Sequence, residues 1–337
     1  MDRYQPPFHL TERILNQVAA ISEEIGKIKV LSHGALNPRL RKENRIRTIQ
    51  SSLAIENNSL SLEQVTAIVN GQRILGNPNE IREVKNAYQA YDLMLSLNPY
   101  SMDDLLKAHR IMMEGLIREN GKFRSGGVGV VKGDMVVHMA PPAEFVPGEI
   151  QDLLHWYPSS EMHPLVKSAI FHYEFEFIHP FADGNGRIGR MWHSLLLGKW
   201  NELFYWLPIE ELIRSRQAEY YQALSQSDKE SDSAPFVALM LDIIQNTLKE
   251  TTAVGYLENS NAPKRQNIGV LDGVLEEKIL TAIMNKPSIT QTDLSKQLGI
   301  PYRTLQRKME ELQNAKKIAR VGGKRFGHWA VKNSWLW

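Results

Sequence analysis

Apolar residues recur at spacings of three and four along most of the chain up to residue 250, and this periodicity constrains the fold more than any other property. It predicts helices over 10–31, from Ile46 through Ile49 and Leu53 to Asn57-Asn58, and over 81–96, 102–118, 148–157, 164–178, 185–200, 209–225 and 234–250. Ser61 and Gln64 have the spacing of a capping box for a short helix that closes at Asn70-Gly71. One stretch breaks the pattern. Val128, Val130, Val131, Val136 and Val137, split by Lys132-Gly133-Asp134, read as a β-hairpin ending at Pro141-Pro142. The expected fold class is mainly α. No apolar run approaches the roughly eighteen residues of a membrane span, so no membrane partner is expected. The absence of cysteine excludes a thiol nucleophile or thiolate metal site and fits a reducing, cytoplasmic setting.

The segment from His179 to Arg190 (His-Pro-Phe-Ala-Asp-Gly-Asn-Gly-Arg-Ile-Gly-Arg) carries the chemistry. A glycine-bearing turn that opens a helix presents unpaired N–H groups, and with the helix dipole these favour phosphate oxygens. Gly184 and Gly186 permit close approach, Asn185 adds a neutral donor, and Arg187 and Arg190 supply positive charge. Asp183 is a hard oxygen ligand of the kind magnesium uses together with substrate phosphates, and His179 can take a proton near neutral pH. The same residues also match the dinucleotide fingerprint G-x-G-x-x-G. However, five residues separate the first glycine from the preceding apolar segment, whose Val166, Ile170, Tyr173 and Phe177 fit a helix better than a strand.

This stretch resembles the Fic signature H-x-F-x-[DE]-G-N-G-R-x-x-R at every specified position. The resemblance implies a Fic-fold helical core with a β-hairpin flap, and transfer of AMP from ATP to a Ser, Thr or Tyr hydroxyl of a target protein. It implies that His179 deprotonates the hydroxyl and Asp183 holds Mg²⁺. Gly184, Asn185 and Gly186 would cradle the phosphates, Arg187 would meet the β-phosphate and Arg190 the γ-phosphate. Doc-type kinases of this fold alter the second half of the motif, and the intact Gly-Asn-Gly-Arg run favours AMP transfer. Phe181 reads as a buried anchor for the loop, and His172 as a packed core histidine outside the site.

Ser52-Leu53-Ala54-Ile55-Glu56-Asn57 resembles the inhibitory motif [ST]-x-x-x-E-[GN] of Fic proteins. Ser52 and Glu56 share a helical face, and the resemblance has Glu56 reach the second motif arginine as a buried bidentate pair, displacing the γ-phosphate. In some relatives the same glutamate also serves removal of AMP. The flap implied at 128–142 would dock the target through Lys132, Gly133, Asp134 and Met135, an exposed hairpin edge being able to add a peptide strand. Tyr221 and Asp228 fall where similar proteins line the adenine pocket.

Residues 264–337 hold 14 Lys and Arg against 6 Asp and Glu, a net +8, whereas residues 1–263 hold 26 against 32, a net −6. The basic tail reads as a small winged helix-turn-helix domain. Leu305, Met309 and Leu312 face inward on its third helix, with Arg303, Thr304, Gln306, Arg307 and Lys308 largely outward. Arg303, Arg307, Lys308, Lys324 and Arg325 are the expected DNA contacts, with Arg320 beside them; a protein-binding winged helix is the alternative. The expected organisation is an N-terminal helical region with the inhibitory helix at 1–76, a catalytic core at 77–257, a linker at 258–269 and the winged helix at 270–337. The two functional expectations are a protein adenylyltransferase and a nucleotide-sensing, DNA-binding transcriptional regulator. Self-modification and a homodimer stand as further options.

Overall fold

A computed structural model describes residues 4–31, 38–127, 129–132, 135–259, 279–280, 282–284, 286–298, 302–314, 317–321 and 328–331. The chain divides into two compact units, Met1–Ala262 and Pro263–Trp337. The first is built from α1 (Glu12–Leu31), α2 (Pro38–Ile55), α3 (Leu62–Val69), α4 (Pro78–Leu93) and α5 (Met102–Met112). A hairpin of β1 (Gly129–Lys132) and β2 (Met135–Met139) follows. Then come α6 (Val146–Ser159), α7 (Pro164–Ile178), α8 (Asn185–Trp200), α9 (Ile209–Ser215), α10 (Gln217–Glu230) and α11 (Ala234–Asn259). Among the described residues no helix is long and apolar enough to cross a membrane.

At the centre, α7 packs against α8, with α6 and α11 also against α7. The aromatic alternation in α7 arises because this helix is buried nearly all round: Phe171 and Phe175 stack at 6.4 Å, and Tyr173 is buried as well. The segment that could have been a Rossmann strand is thus a helix. Residues 1–76 do not stand apart. α1 lies along α11, Gln17 donates to the Ala238 carbonyl, and the N–H of Ser233 donates to the Pro7 carbonyl.

Several element ends follow the sequence signals closely. The capping box forms as its spacing predicts, with Gln64 N–H donating to Ser61 Oγ and Ser61 N–H to Gln64 Oε1. Asn57, at φ 68°, closes the turn after α2 in the left-handed conformation that asparagine tolerates. Other ends depart from expectation. α5 stops at Met112 rather than 118, and the chain then bends through Gly115 at φ 68° and Gly121 at φ 74°. The helix expected over 209–225 breaks at Arg216, whose guanidinium is held by Glu219 and Asp242. α11 extends to Asn259, into the stretch read as a linker. The hairpin pairs Gly129 with Met139 and Lys132 with Met135, with an irregularity between Val130 and Val131.

The second unit contains the helices Gln291–Leu298 and Tyr302–Asn314 and the paired strands Ile318–Val321 and His328–Val331. Ile279, Ile283, Leu294, Leu305, Met309, Leu312, Ile318 and Trp329 form its core. Lys308, expected to face outward, is only 6% exposed. Positions 305, 308, 309 and 312 form one i, i+3, i+4, i+7 stripe, which carries Lys308 to the packed side of its helix and away from the role of a DNA contact. Arg320 is exposed and lies over the Trp329 ring at 5.1 Å. Gly133, Asp134, Lys324 and Arg325 lie outside the described residues, as do the side chains of Lys132, Met135, Arg303 and Arg307.

Candidate active site

The junction of α7 and α8 brings the motif residues together. α7 ends at His179, which adopts the left-handed conformation (φ 49°, ψ 61°), an uncommon state for a residue with a Cβ. Its Nδ1 faces the Glu176 carbonyl at 3.3 Å, a contact that turns Nε2 away from the helix end. Phe181 is fully buried and stacked face to face with His109, centroids 3.7 Å apart, and anchors the loop as expected.

α8 then begins without a side-chain cap, at Gly184 in the left-handed region (φ 87°). Its first intrahelical bond runs from Ile188 N–H to the Gly184 carbonyl, so the N–H groups of Asn185, Gly186 and Arg187 precede the helical ladder. The Asn185 side chain is not the free donor expected from sequence. Its Oδ1 accepts from Phe181 N–H and its Nδ2 donates to the Phe181 carbonyl, both at 2.8 Å, so the amide is turned back onto the chain and locks the loop.

Both motif arginines are buried. Arg187 donates to Asp183 at 3.0 Å and to Glu83 of α4 at 3.4 Å. Arg190, 2% exposed, donates through Nε to Ser52 Oγ, and through Nη2 to the Ser52 carbonyl and to Glu56 Oε1 at 2.8 Å. Burial opposes the Arg190 charge, and Glu56 together with Tyr220 and Glu176 more than offsets it, so the group stays firmly protonated. The pair is not the bidentate one expected. Glu56 stands one residue beyond α2 in a tightened turn (N–H to the Leu53 carbonyl) and meets the guanidinium through Nη2 alone, while Nε and Nη2 also donate to Ser52. A Cβ on Gly186 would collide with Glu56 Oε1 and Arg190 Nη1, so the carboxylate lies directly against the backbone at the start of α8.

The fit of this loop to a magnesium-bound triphosphate can be tested on its donors. Arg187 Nε is buried with no partner among the described residues, and an anion would satisfy it. The Asp183 side chain is 56% exposed and supplies a hard oxygen. Among the described residues no group of three His, Cys, Asp or Glu could hold a metal alone. A magnesium ion there would therefore complete its shell with substrate oxygens and water, which is how this ion is usually held. The residues fit the group.

Other expected residues separate. Tyr221 is exposed on α10 and within electrostatic reach of Glu56 and Arg190. Asp228, about two turns further along, accepts from the Tyr173 hydroxyl at 2.8 Å and so is committed to α7. His172 is a core residue, as read from sequence: its Nε2 meets the Tyr220 hydroxyl at 3.2 Å and burial lowers its pKa to about 3.

Sequence reasoning missed three residues. His109 on α5 accepts from Gly121 N–H at Nδ1 (2.8 Å) and therefore donates from Nε2 to the Asp183 carbonyl (2.9 Å), with burial lowering its pKa to about 4. Glu83 holds Arg187 and itself accepts from Asn58 Nδ2 at 2.8 Å. Arg124 is buried against the backbone of 178–179. No spacing rule marks them, since each meets the loop only through the tertiary fold.

Fold and site together define a mainly helical protein with a glycine-bearing loop, flanked by two buried arginines, between its two central helices. Residues 99–197 match the Fic/DOC family, and residues 275–318 match a winged helix-turn-helix DNA-binding family. A solved Fic family protein from Desulfovibrio desulfuricans G20 is 42% identical with a TM-score of 0.73, covering 98% of this chain and 99% of that one. Protein adenylyltransferase fic-1 of Caenorhabditis briggsae is 29% identical over 74% of this chain and 50% of its own length. Protein adenylyltransferase Fic of Drosophila mojavensis is 30% identical over 62% of this chain and 42% of its own. The chain thus spans about half the length of these adenylyltransferase relatives. The chain belongs to the Fic family.

Proposed function

We propose that the protein is a Mg²⁺-dependent protein adenylyltransferase that moves AMP from ATP to a Ser, Thr or Tyr hydroxyl of a target protein and is held back by Glu56. The observation that carries this reading is His179 at the end of α7, on the loop that leads into the uncapped start of α8, with its Nδ1 turned to the Glu176 carbonyl. When Nδ1 carries the proton and donates it to that carbonyl, Nε2 keeps a lone pair for the incoming hydroxyl. The target oxygen attacks the α-phosphorus, the bond to the β-phosphate oxygen breaks, pyrophosphate leaves and Nε2 holds the proton. The N–H groups of Asn185, Gly186 and Arg187 face the triphosphate, Arg187 meets the β-phosphate and Arg190 the γ-phosphate. Magnesium at Asp183, when bound, neutralises charge on the phosphate oxygens.

Glu56 supports the brake because it takes the arginine that the γ-phosphate needs. Its side chain is 32% exposed with one oxygen on Arg190, and the other oxygen is available to order a water for AMP removal. The test is labelled ATP with Mg²⁺ on the parent and on Glu56→Gly. Label should accumulate on target or self much faster in the variant than in the parent, and His179→Ala in that background should cut it by roughly 10²–10⁴-fold, the range for a lost general base. Transfer that survives the His179 change would sink the assignment of the base.

A second reading, a DNA-binding regulator, is favoured by the winged-helix match and by the exposed Arg320. Salt-dependent binding of the full chain to duplex DNA with a sequence preference would support it, and no binding at low salt would eliminate it.

A further inference from the structure

Arg124 sits in the loop between α5 and β1, outside every motif of the chain, yet is only 3% exposed. Among the described residues its side-chain hydrogen bonds all end on backbone carbonyls. Nε donates to His179 (2.7 Å), Nη1 to Gly126 (2.9 Å), and Nη2 to both Pro141 (2.5 Å) and Ile178 (3.2 Å). Its own N–H donates to the Pro180 carbonyl at 3.0 Å. Three consecutive peptides around the proposed base are therefore held by one residue. A planar guanidinium with five donors can span carbonyls pointing in different directions, which a lysine ammonium cannot do with the same geometry.

What is held matters. His179 has positive φ and carries a Cβ, a backbone state that persists only when its surroundings over-determine it. The bond to the His179 carbonyl and the adjacent one to Ile178 supply that constraint directly. The bond to Pro141 reaches the exit of the β1–β2 hairpin, two residues past Met139. The hairpin exit and the imidazole-bearing turn thus share a single rigid tie. We infer that Arg124 is a positioning residue: it fixes the left-handed backbone of His179 and couples it to the hairpin, so that a target strand docked on the flap and the base that deprotonates its hydroxyl keep a set separation. This rests on the adenylyltransferase reading for its chemistry, and on the four carbonyl bonds for its geometry.

Arg124→Lys in the Glu56→Gly background tests it. A base displaced by about 1 Å costs on the order of 10²-fold, so kcat should fall ten- to a hundredfold while KM for ATP stays within about twofold. A merely structural defect would weaken both together. Unchanged kcat, or loss confined to ATP affinity, would overturn the inference. Hydrogen exchange on the same variant is independent of activity. Faster exchange in peptides covering 176–183 and 139–146, with 164–175 unchanged, is expected, and an unaltered pattern overturns the inference. If no variant transfers label, the adenylyltransferase reading fails while exchange still decides the role of Arg124. In the unsubstituted protein the Arg124 Nε–H should be protected in nitrogen-edited NMR; exchange as fast as that of a surface arginine refutes the tie without any substitution.

Discussion

The loop between α7 and α8 is gripped from two sides, and the grips differ in kind. On the α2 side the contacts end on the charged tips of the motif arginines: Ser52 and Glu56 take Arg190, while Asn58 steadies the Glu83 that takes Arg187. On the α5 side the contacts end on the backbone: His109 holds the Asp183 carbonyl, and Arg124 holds those of Ile178 and His179. On the proposed function, contacts of the first kind occupy the groups assigned to the triphosphate, so losing one should free the site. Contacts of the second kind shape the loop itself, so losing one should damage it. Proximity to a motif therefore does not give the sign of a substitution; the atom that is touched does.

Glu56→Gly should break the comparison most visibly. Removing a charge-assisted bond worth about 1.5–3 kcal/mol frees Arg190 and should raise label transfer roughly ten- to a hundredfold in the radiolabel assay. A fall would place Glu56 among the shaping contacts. His109→Phe keeps the ring on Phe181 but strands the Gly121 N–H and the Asp183 carbonyl, and should cost about 1–3 kcal/mol by urea unfolding, with no gain in transfer. It also has a pH signature. His109 has its pKa lowered from 6.5 to about 4, so the unfolded chain binds the proton first and stability is lost as pH falls through that window. The lost share is about 3 kcal/mol, and the variant should show a correspondingly flatter acid limb between these pH values. Ser52→Ala removes one bond from Arg190 and should raise ATP affinity several-fold, the equivalent of about 0.5–1.5 kcal/mol, as read by calorimetry. Glu83→Gln should act least. Its contact to Arg187 is 3.4 Å and partly exposed, so a gain of at most about fivefold in ATP affinity is expected. A loss there would move Glu83 to the shaping side.

Legibility from sequence follows the same division. α7 and α8 begin and end where periodicity and the glycines put them, and the capping box of α3 forms from its own two residues, because these signals are local. α5 overran because the bend at Gly115 looks like any surface glycine until its φ is known. Sequence reads Asn185 as a neutral donor, but an amide four residues from Phe181 can bond inward or outward, and the closed loop turns it inward. Lys308 reads as outward from sequence because its charge outweighs its place on the apolar stripe, whereas packing buries it. Arg124, His109 and Glu83 gave no signal at all.

The helical architecture, the hairpin, the basic second unit and the kinds of group present in the motif can all be read along the chain, since propensity, period and residue chemistry are properties of neighbours. Which carboxylate meets which arginine, that Glu56 binds through one oxygen, and that residues from α4, α5 and the following loop clasp the motif are consequences of packing. Hydrogen bonds act over about 3 Å. Partners separated by 55 to 138 residues become partners only when packing brings their atoms within that reach.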